Sequence, residues 1–216
     1  MNRPLFRKWS RWLDRIYDDQ LRDLLLNQHI FRQFGECTRP YIGKRVAGEL
    51  AEWMAQCYVA FATTAVRRMV EEPSTRKGKK SISLVVLLRD LAAHSNELTI
   101  ERYRWLCRRS LPEVLADRIF ARISGKKTAT RLSSNQIEQD IRNLKRAAEP
   151  TRRLVNKIIA HTEEDRRLRG KISYGELNAA IALLSKTFQR YELLITGIRR
   201  DPIVPFNGYD VSVSGR

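Results

Sequence analysis

Histidine and cysteine are scarce in this chain, three of each in 216 residues. Cys37, Cys57 and Cys107 lie far apart, form no Cys-x-x-Cys pair, and have no histidine at zinc-finger distance. That spacing excludes a disulfide framework and a thiolate zinc site. It predicts reduced, buried thiols in a cytoplasmic protein that uses neither a metal nor another cofactor. Long apolar runs are missing too: none reaches the roughly 18 residues a membrane span needs. Glycine-rich phosphate loops are absent, because Gly125-Lys126-Lys127-Thr128 has the lysine without the preceding glycines. No Gly-x-Ser-x-Gly elbow occurs, and the acidic clusters Glu71-Glu72 and Glu163-Glu164-Asp165 lack the paired histidines of a metal site. Strand-like alternation is absent before the C-terminal tail.

Negative charge is also in deficit. Lys and Arg number 41 against 24 Asp and Glu, a net charge of +17. A surplus of that size attracts polyanions, nucleic acid first and an anionic membrane surface second. The surplus is local: residues 121–171 carry 14 Lys/Arg and 6 Asp/Glu, whereas residues 172–216 carry 5 and 4. A concentrated patch of this kind points to a binding surface rather than a general solubility device.

The apolar pattern is helical almost throughout. Residues 5–34 form one periodic run, expected to stop at Gly35 with Pro40 beyond. Its start sets Arg3, Arg7, Lys8, Arg11 and Arg15 around Leu5, Trp9, Trp12 and Ile16, an amphipathic first helix. Asp14, Asp18 and Asp19 speak against a transit peptide. Residues 41–71 form a second long run up to Pro73, and residues 73–80 a basic loop. Residues 82–94 predict a short buried helix opened by Ser81 or Ser83. Thr99 caps a helix over about 100–109, and Pro112 stands at the first helical position of another over 111–124. The Ser124 to Lys127 stretch breaks the chain. Ser173 and Glu176 have capping-box spacing and announce a last helix to about Ile198. The tryptophans Trp9, Trp12, Trp53 and Trp105 fall at apolar positions and are expected in the core. His29 is expected partly buried, and His94 at a helix end. The fold class is all-α: an antiparallel bundle of about four long helices with short additional helices. Residues 1–200 form a single domain, and 201–216 an irregular tail.

The most regular stretch runs from Ser134 to Thr162. Ile137, Ile141, Leu144, Ala148, Thr151, Val155, Ile158 and Thr162 alternate steps of four and three, a stripe for packing on a neighbouring helix or a second subunit. Pro150 interrupts the run and predicts a kink. At its end come Asn156-Lys157-Ile158-Ile159-Ala160-His161. A neutral imidazole exchanges a proton near pH 7, and the cations Arg152, Arg153, Lys157, Arg166 and Arg167 would hold a phosphate near it.

This segment resembles the signature of HEPN domains, in particular the abortive-infection AbiU-like branch. Two further stretches are similar to such proteins, Leu87 to Ala92 and Leu98 to Tyr103, and the resemblance covers most of residues 5–200. It implies an all-α, RNA-associated protein of a phage-defence or toxin–antitoxin system. The implied activity is that of a metal-independent endoribonuclease, working as a homodimer with the two motifs juxtaposed. His161 would be the acid/base, Asn156 its polar companion, and an arginine would stabilise the extra charge on the phosphate. Val155 occupies the place of the family's arginine, which removes every donor there. Arg153 and Lys157 are the nearest stand-ins, and Arg153 lies eight residues from His161, about 12 Å along a helix axis. The alternative is a non-catalytic helical interaction protein that binds nucleic acid or a protein partner through its basic surface.

Overall fold

The computed structural model describes residues 2–41, 45–72, 81–154 and 173–200. Among these the regular structure is helical, apart from one isolated bridge between Thr99 and Arg131. Helix α1 spans Arg3–Ile16 and is capped by the Asn2 side chain, which accepts from the Leu5 amide. Its buried residues, Phe6, Trp9, Leu13 and Ile16, follow steps of three and four. A π-helical segment, Tyr17–Leu21, joins it without a break to α2, Arg22–Thr38. The wider turn has a packing consequence. An α-helical step of four from Ile16 would place polar Gln20 on the core line; the five-residue π step places Leu21 there instead. Leu21 is buried, and the displaced Gln20 amide donates to the carbonyl of Ile82 at 2.9 Å.

Gly35 does not end the first run. It lies inside α2, which continues to Thr38 before a short 3-10 turn, Arg39–Tyr41, carries Pro40. One glycine in a helix costs only about 1 kcal/mol, too little to stop a helix that packs along its length. Helix α3 follows, Arg45–Met69, then α4, Leu84–Ala93, with Ser83 as its cap. The Ser83 hydroxyl accepts from the Val86 amide at 3.1 Å and donates to the Glu71 carbonyl at 2.6 Å, tying the start of α4 to the end of α3. His94 closes α4, and its Nδ1 lies 2.8 Å from the Asp90 carbonyl.

Thr99 caps α5, Ile100–Cys107, as its spacing predicts, while Pro112 stands at the cap of α6, Glu113–Ser124, one residue before the first helical position. Helix α6 stops at Gly125, whose φ of 70° is left-handed. Helix α7 is Ser134–Leu154 and α8 is Tyr174–Thr196. Both halves of the Ser173–Glu176 capping box form. At the far end of α8, Gly197 has φ 71°, and a Cβ there would stand 3.0 Å from the Leu106 side chain. Backbone conformation and space both select glycine, so α8 ends at Thr196, two residues before Ile198.

The four long pieces, α1 continued into α2, α3, α7 and α8, pack around one core. Helix α7 contributes Ile137, Ile141, Leu144, Ala148 and Thr151, all buried, so the predicted stripe holds as far as it is described. The helix passes through Pro150 and runs four residues further. Just after it, the Thr151 hydroxyl donates to the Ala148 carbonyl at 2.6 Å. From α8, Leu177, Ile181, Leu184, Phe188, Tyr191, Leu194 and Ile195 are buried.

Three polar clasps tie the bundle across long sequence distances. Asp90 accepts from Lys8 at 2.8 and 2.9 Å and from the Trp9 indole at 2.5 Å. Burial raises the Asp90 pKa, but these donors outweigh it and hold the carboxyl below its ordinary value. Asp140 accepts from Arg190 at 2.9 Å and from the Tyr191 hydroxyl at 2.6 Å. Arg102 lies over the Phe6 ring and donates to the last carbonyls of α8, Leu194 and Ile195, at 3.2 and 2.9 Å. Its burial lowers the guanidinium pKa to about 10, so it stays charged at neutral pH, where it complements the negative end of α8.

Two expectations about the core are corrected. Trp9 is fully buried, but Trp53 is 59% exposed and Trp105 43% exposed. Cys107 is buried, whereas Cys37 and Cys57 are exposed. The cause for Trp53 and Cys57 is the same: α3 is apolar on both faces, and only the face with Tyr58, Ala62, Val66 and Met69 meets the bundle.

Candidate nucleic-acid interface

Two charged sites stand at opposite ends of α7, a helix of 21 residues and therefore about 31 Å long. The first is a cavity of about 380 Å³ at its C-terminal end. It is lined by Arg67 in the last turn of α3, by Val70, Glu71 and Glu72 just after it, and by Lys145, Ala148, Glu149 and Arg152 on α7. Its charges are largely matched. Glu72 pairs with Lys145 and, at 3.2 Å, with Arg89, which reaches Glu138 at 2.5 Å. Burial raises the Glu72 pKa, yet the two cationic donors prevail and lower it. Arg152 pairs with Glu149 at 2.9 Å, and that bond raises its own pKa. Every charged side chain here that has a partner is held by an opposite charge, so the cavity has little net attraction for a free anion.

The second site is an open groove of about 630 Å³ at the other end of α7, formed by the end of α6 and the turn after it. Asp117, Arg118, Ala121, Arg122, Gly125, Lys126 and Lys127 line it. Arg118 and Arg122 are one turn apart on α6 and share a face. The left-handed Gly125 then turns the chain so that Lys126 and Lys127 follow beside them. Asp117 is the sole carboxylate of the lining, and it is engaged elsewhere: Arg104 donates to it at 2.6 and 2.8 Å and holds its pKa down. Arg118, Arg122, Lys126 and Lys127 are exposed, and among the described residues none of the four is paired with a carboxylate. Four like charges with no compensation focus a positive potential on the groove.

Of the residues singled out in the sequence, Arg152 is the one whose side chain is described, and it lines the cavity, bonded to Glu149. Arg153 belongs to the last turn of α7. Its side chain, and Val155, Asn156, Lys157, His161, Arg166 and Arg167, lie outside the described residues, as does the basic loop 73–80. The groove was not singled out as a site in the sequence, where Arg122, Lys126 and Lys127 count only toward the basic surplus of residues 121–171 and Ser124 to Lys127 reads as a break. The signal available was the i, i+4 pair Arg118/Arg122 followed by a glycine and two lysines. Among the described residues, no group of three or more His, Cys, Asp and Glu is arranged to hold a metal ion, and no helix is long and apolar enough to cross a membrane. No protein-family model, curated protein or solved structure matches this chain.

Proposed function

We propose that this chain is an RNA-binding helical protein whose principal contact surface is the groove of Arg118, Arg122, Lys126 and Lys127. The observation that carries it is the absence of compensating charge: four exposed cations line one open groove while its single carboxylate is committed to Arg104. Phosphate oxygens are the natural counter-charge for such a set, and neutralising them releases counterions. The test is equilibrium binding of a fluorescein-labelled 20-nucleotide single-stranded RNA to the wild type and to a variant with all four residues changed to alanine. Equal affinities would end this assignment.

Cleavage of the bound RNA is the second activity we propose, in keeping with the resemblance of Asn156 to His161 to HEPN nucleases and with the homodimer that resemblance implies. His161 would exchange the proton of a ribose 2′-hydroxyl. Arg153 or Lys157 would supply the positive charge that Val155 cannot. Wild type and His161→Ala are incubated with a mixed RNA pool; identical product patterns would leave binding as the whole function.

A further inference from the structure

The outward face of α3 carries an apolar stripe that nothing in the described fold covers. Leu50 is 52% exposed, Trp53 59% and Phe61 40%, and Cys57 between them is exposed as well. At 100° per residue, Leu50, Trp53, Phe61, Thr64 and Arg68 all lie within about 40° of the line through Cys57. The stripe therefore repeats in steps of three and four along about 27 Å of helix, the pattern of a helix-packing seam. A chain of net charge +17 gains nothing in solubility from baring a tryptophan and a phenylalanine on one stripe.

The flank of the stripe says what covers it. Glu49 and Arg67 both lie about 80° to the same side of Cys57. Residues 49–61 hold Glu49 and Glu52 and no cation, whereas the same helix ends in Arg67-Arg68. When two copies of one helix pack antiparallel about a dyad, like flanks face each other and residue numbers across the seam have a constant sum. A sum of 114 sets Cys57 against its own copy, Trp53 against Phe61, and Leu50 against Thr64. The flank residues Glu49 and Arg67 sum to 116, so each Glu49 falls beside the Arg67 of the other copy. One register thus satisfies the apolar seam and the charges together, twice, as a two-fold interface requires. A parallel pairing about a dyad along the helices would put the two copies of this flank on opposite sides of the seam, where Glu49 and Arg67 would not meet.

We infer that this face of α3 is a dimer interface, occupied by α3 of a second copy of the chain in antiparallel register with Cys57 at the dyad. Helices packed at about 10 Å put facing Cα atoms roughly 5 Å apart on the axis, within the span of a disulfide. The two Cys57 thiols therefore cross-link when a thiol oxidant takes up their electrons and protons. The inference does not depend on RNA binding, and its test contains no RNA, so either can fail alone.

Sedimentation of the full chain at 1–100 µM is expected to give a monomer–dimer equilibrium. Trp53→Glu raises the dissociation constant at least tenfold with the helical circular dichroism unchanged. Glu49→Arg weakens the dimer about tenfold, and adding Arg67→Glu restores it. With diamide as oxidant, a linked dimer forms in the wild type and in Cys37→Ser, and is lost in Cys57→Ser. A chain that stays monomeric at 100 µM overturns the inference. So does a dimer indifferent to both Trp53→Glu and Glu49→Arg, or one that diamide links through Cys37. If Trp53→Glu fails to fold, the Glu49/Arg67 exchange still decides.

Discussion

Replacing Arg118, Arg122, Lys126 and Lys127 by alanine removes the four cations of the groove, and the effect on RNA affinity can be worked from their number. Each phosphate neutralised on a single strand contributes about 0.7 to the slope of log K against log salt, so four contribute about 2.8. Between 50 and 200 mM salt, that slope lowers affinity by about 50-fold. Cations elsewhere on the surface add to the wild-type slope, so the quantity to compare is the difference between wild type and variant. Arg118→Ala with Arg122→Ala should lower the slope by about 1.4, as should Lys126→Ala with Lys127→Ala, and the two losses should add. All four side chains are exposed, so the variants should keep their stability to within about 0.5 kcal/mol. Fluorescence anisotropy of labelled single-stranded RNA over a salt series measures each slope directly. A fourfold variant with unchanged slope, folded by circular dichroism, would mean that the groove does not meet phosphate.

Other expectations follow from the clasps, the core and the motif. Asp90→Ala leaves the fully buried Trp9 indole without its acceptor, which should cost about 1–3 kcal/mol in urea denaturation; a change below 0.5 kcal/mol would contradict the clasp. Because the folded Asp90 pKa is depressed, its stabilisation is present above the unfolded carboxyl value and is lost as pH falls through the folded value. The gap between wild type and Asp90→Asn should therefore be widest near pH 7 and should narrow as pH falls below the ordinary carboxyl value of about 3.9. Phe188 is 1% exposed and stacks on Tyr17. Phe188→Ala should cost about 3–5 kcal/mol, seen as a Tm lower by roughly 8–15 °C in a chain of this size. Val155→Arg restores the guanidinium of the HEPN pattern and should raise RNA cleavage above wild type in the assay that scores His161→Ala; no change would argue that the segment has no nuclease role.

The helices were legible because their signals are short-range. The Ser83, Thr99 and Ser173 caps act over three residues, and the stripe from Ile137 to Thr151 needs only the 3.6-residue period. Gly35 misled because a local preference worth about 1 kcal/mol yields to packing along the helix; Trp53 misled because α3 is apolar on both faces and only one of them meets the bundle. The π segment at Tyr17–Leu21 has no local signature. It forms because the register of Ile16 and Leu21 against the rest of the bundle demands a five-residue step.

The amino-acid order alone determined that the chain is helical, where most of its helices begin, which stripe of α7 turns inward, and that the surface would be strongly basic. Tertiary packing decided the rest. It chose which apolar face of α3 to bury, brought Asp90 to Lys8 and Trp9 from more than eighty residues away, and engaged Asp117 with Arg104 so that the α6 groove kept its charge. Hydrogen bonds within a helix close over four residues and can be read in sequence. The pairing of one face or one ion with another depends on which distant element arrives beside it.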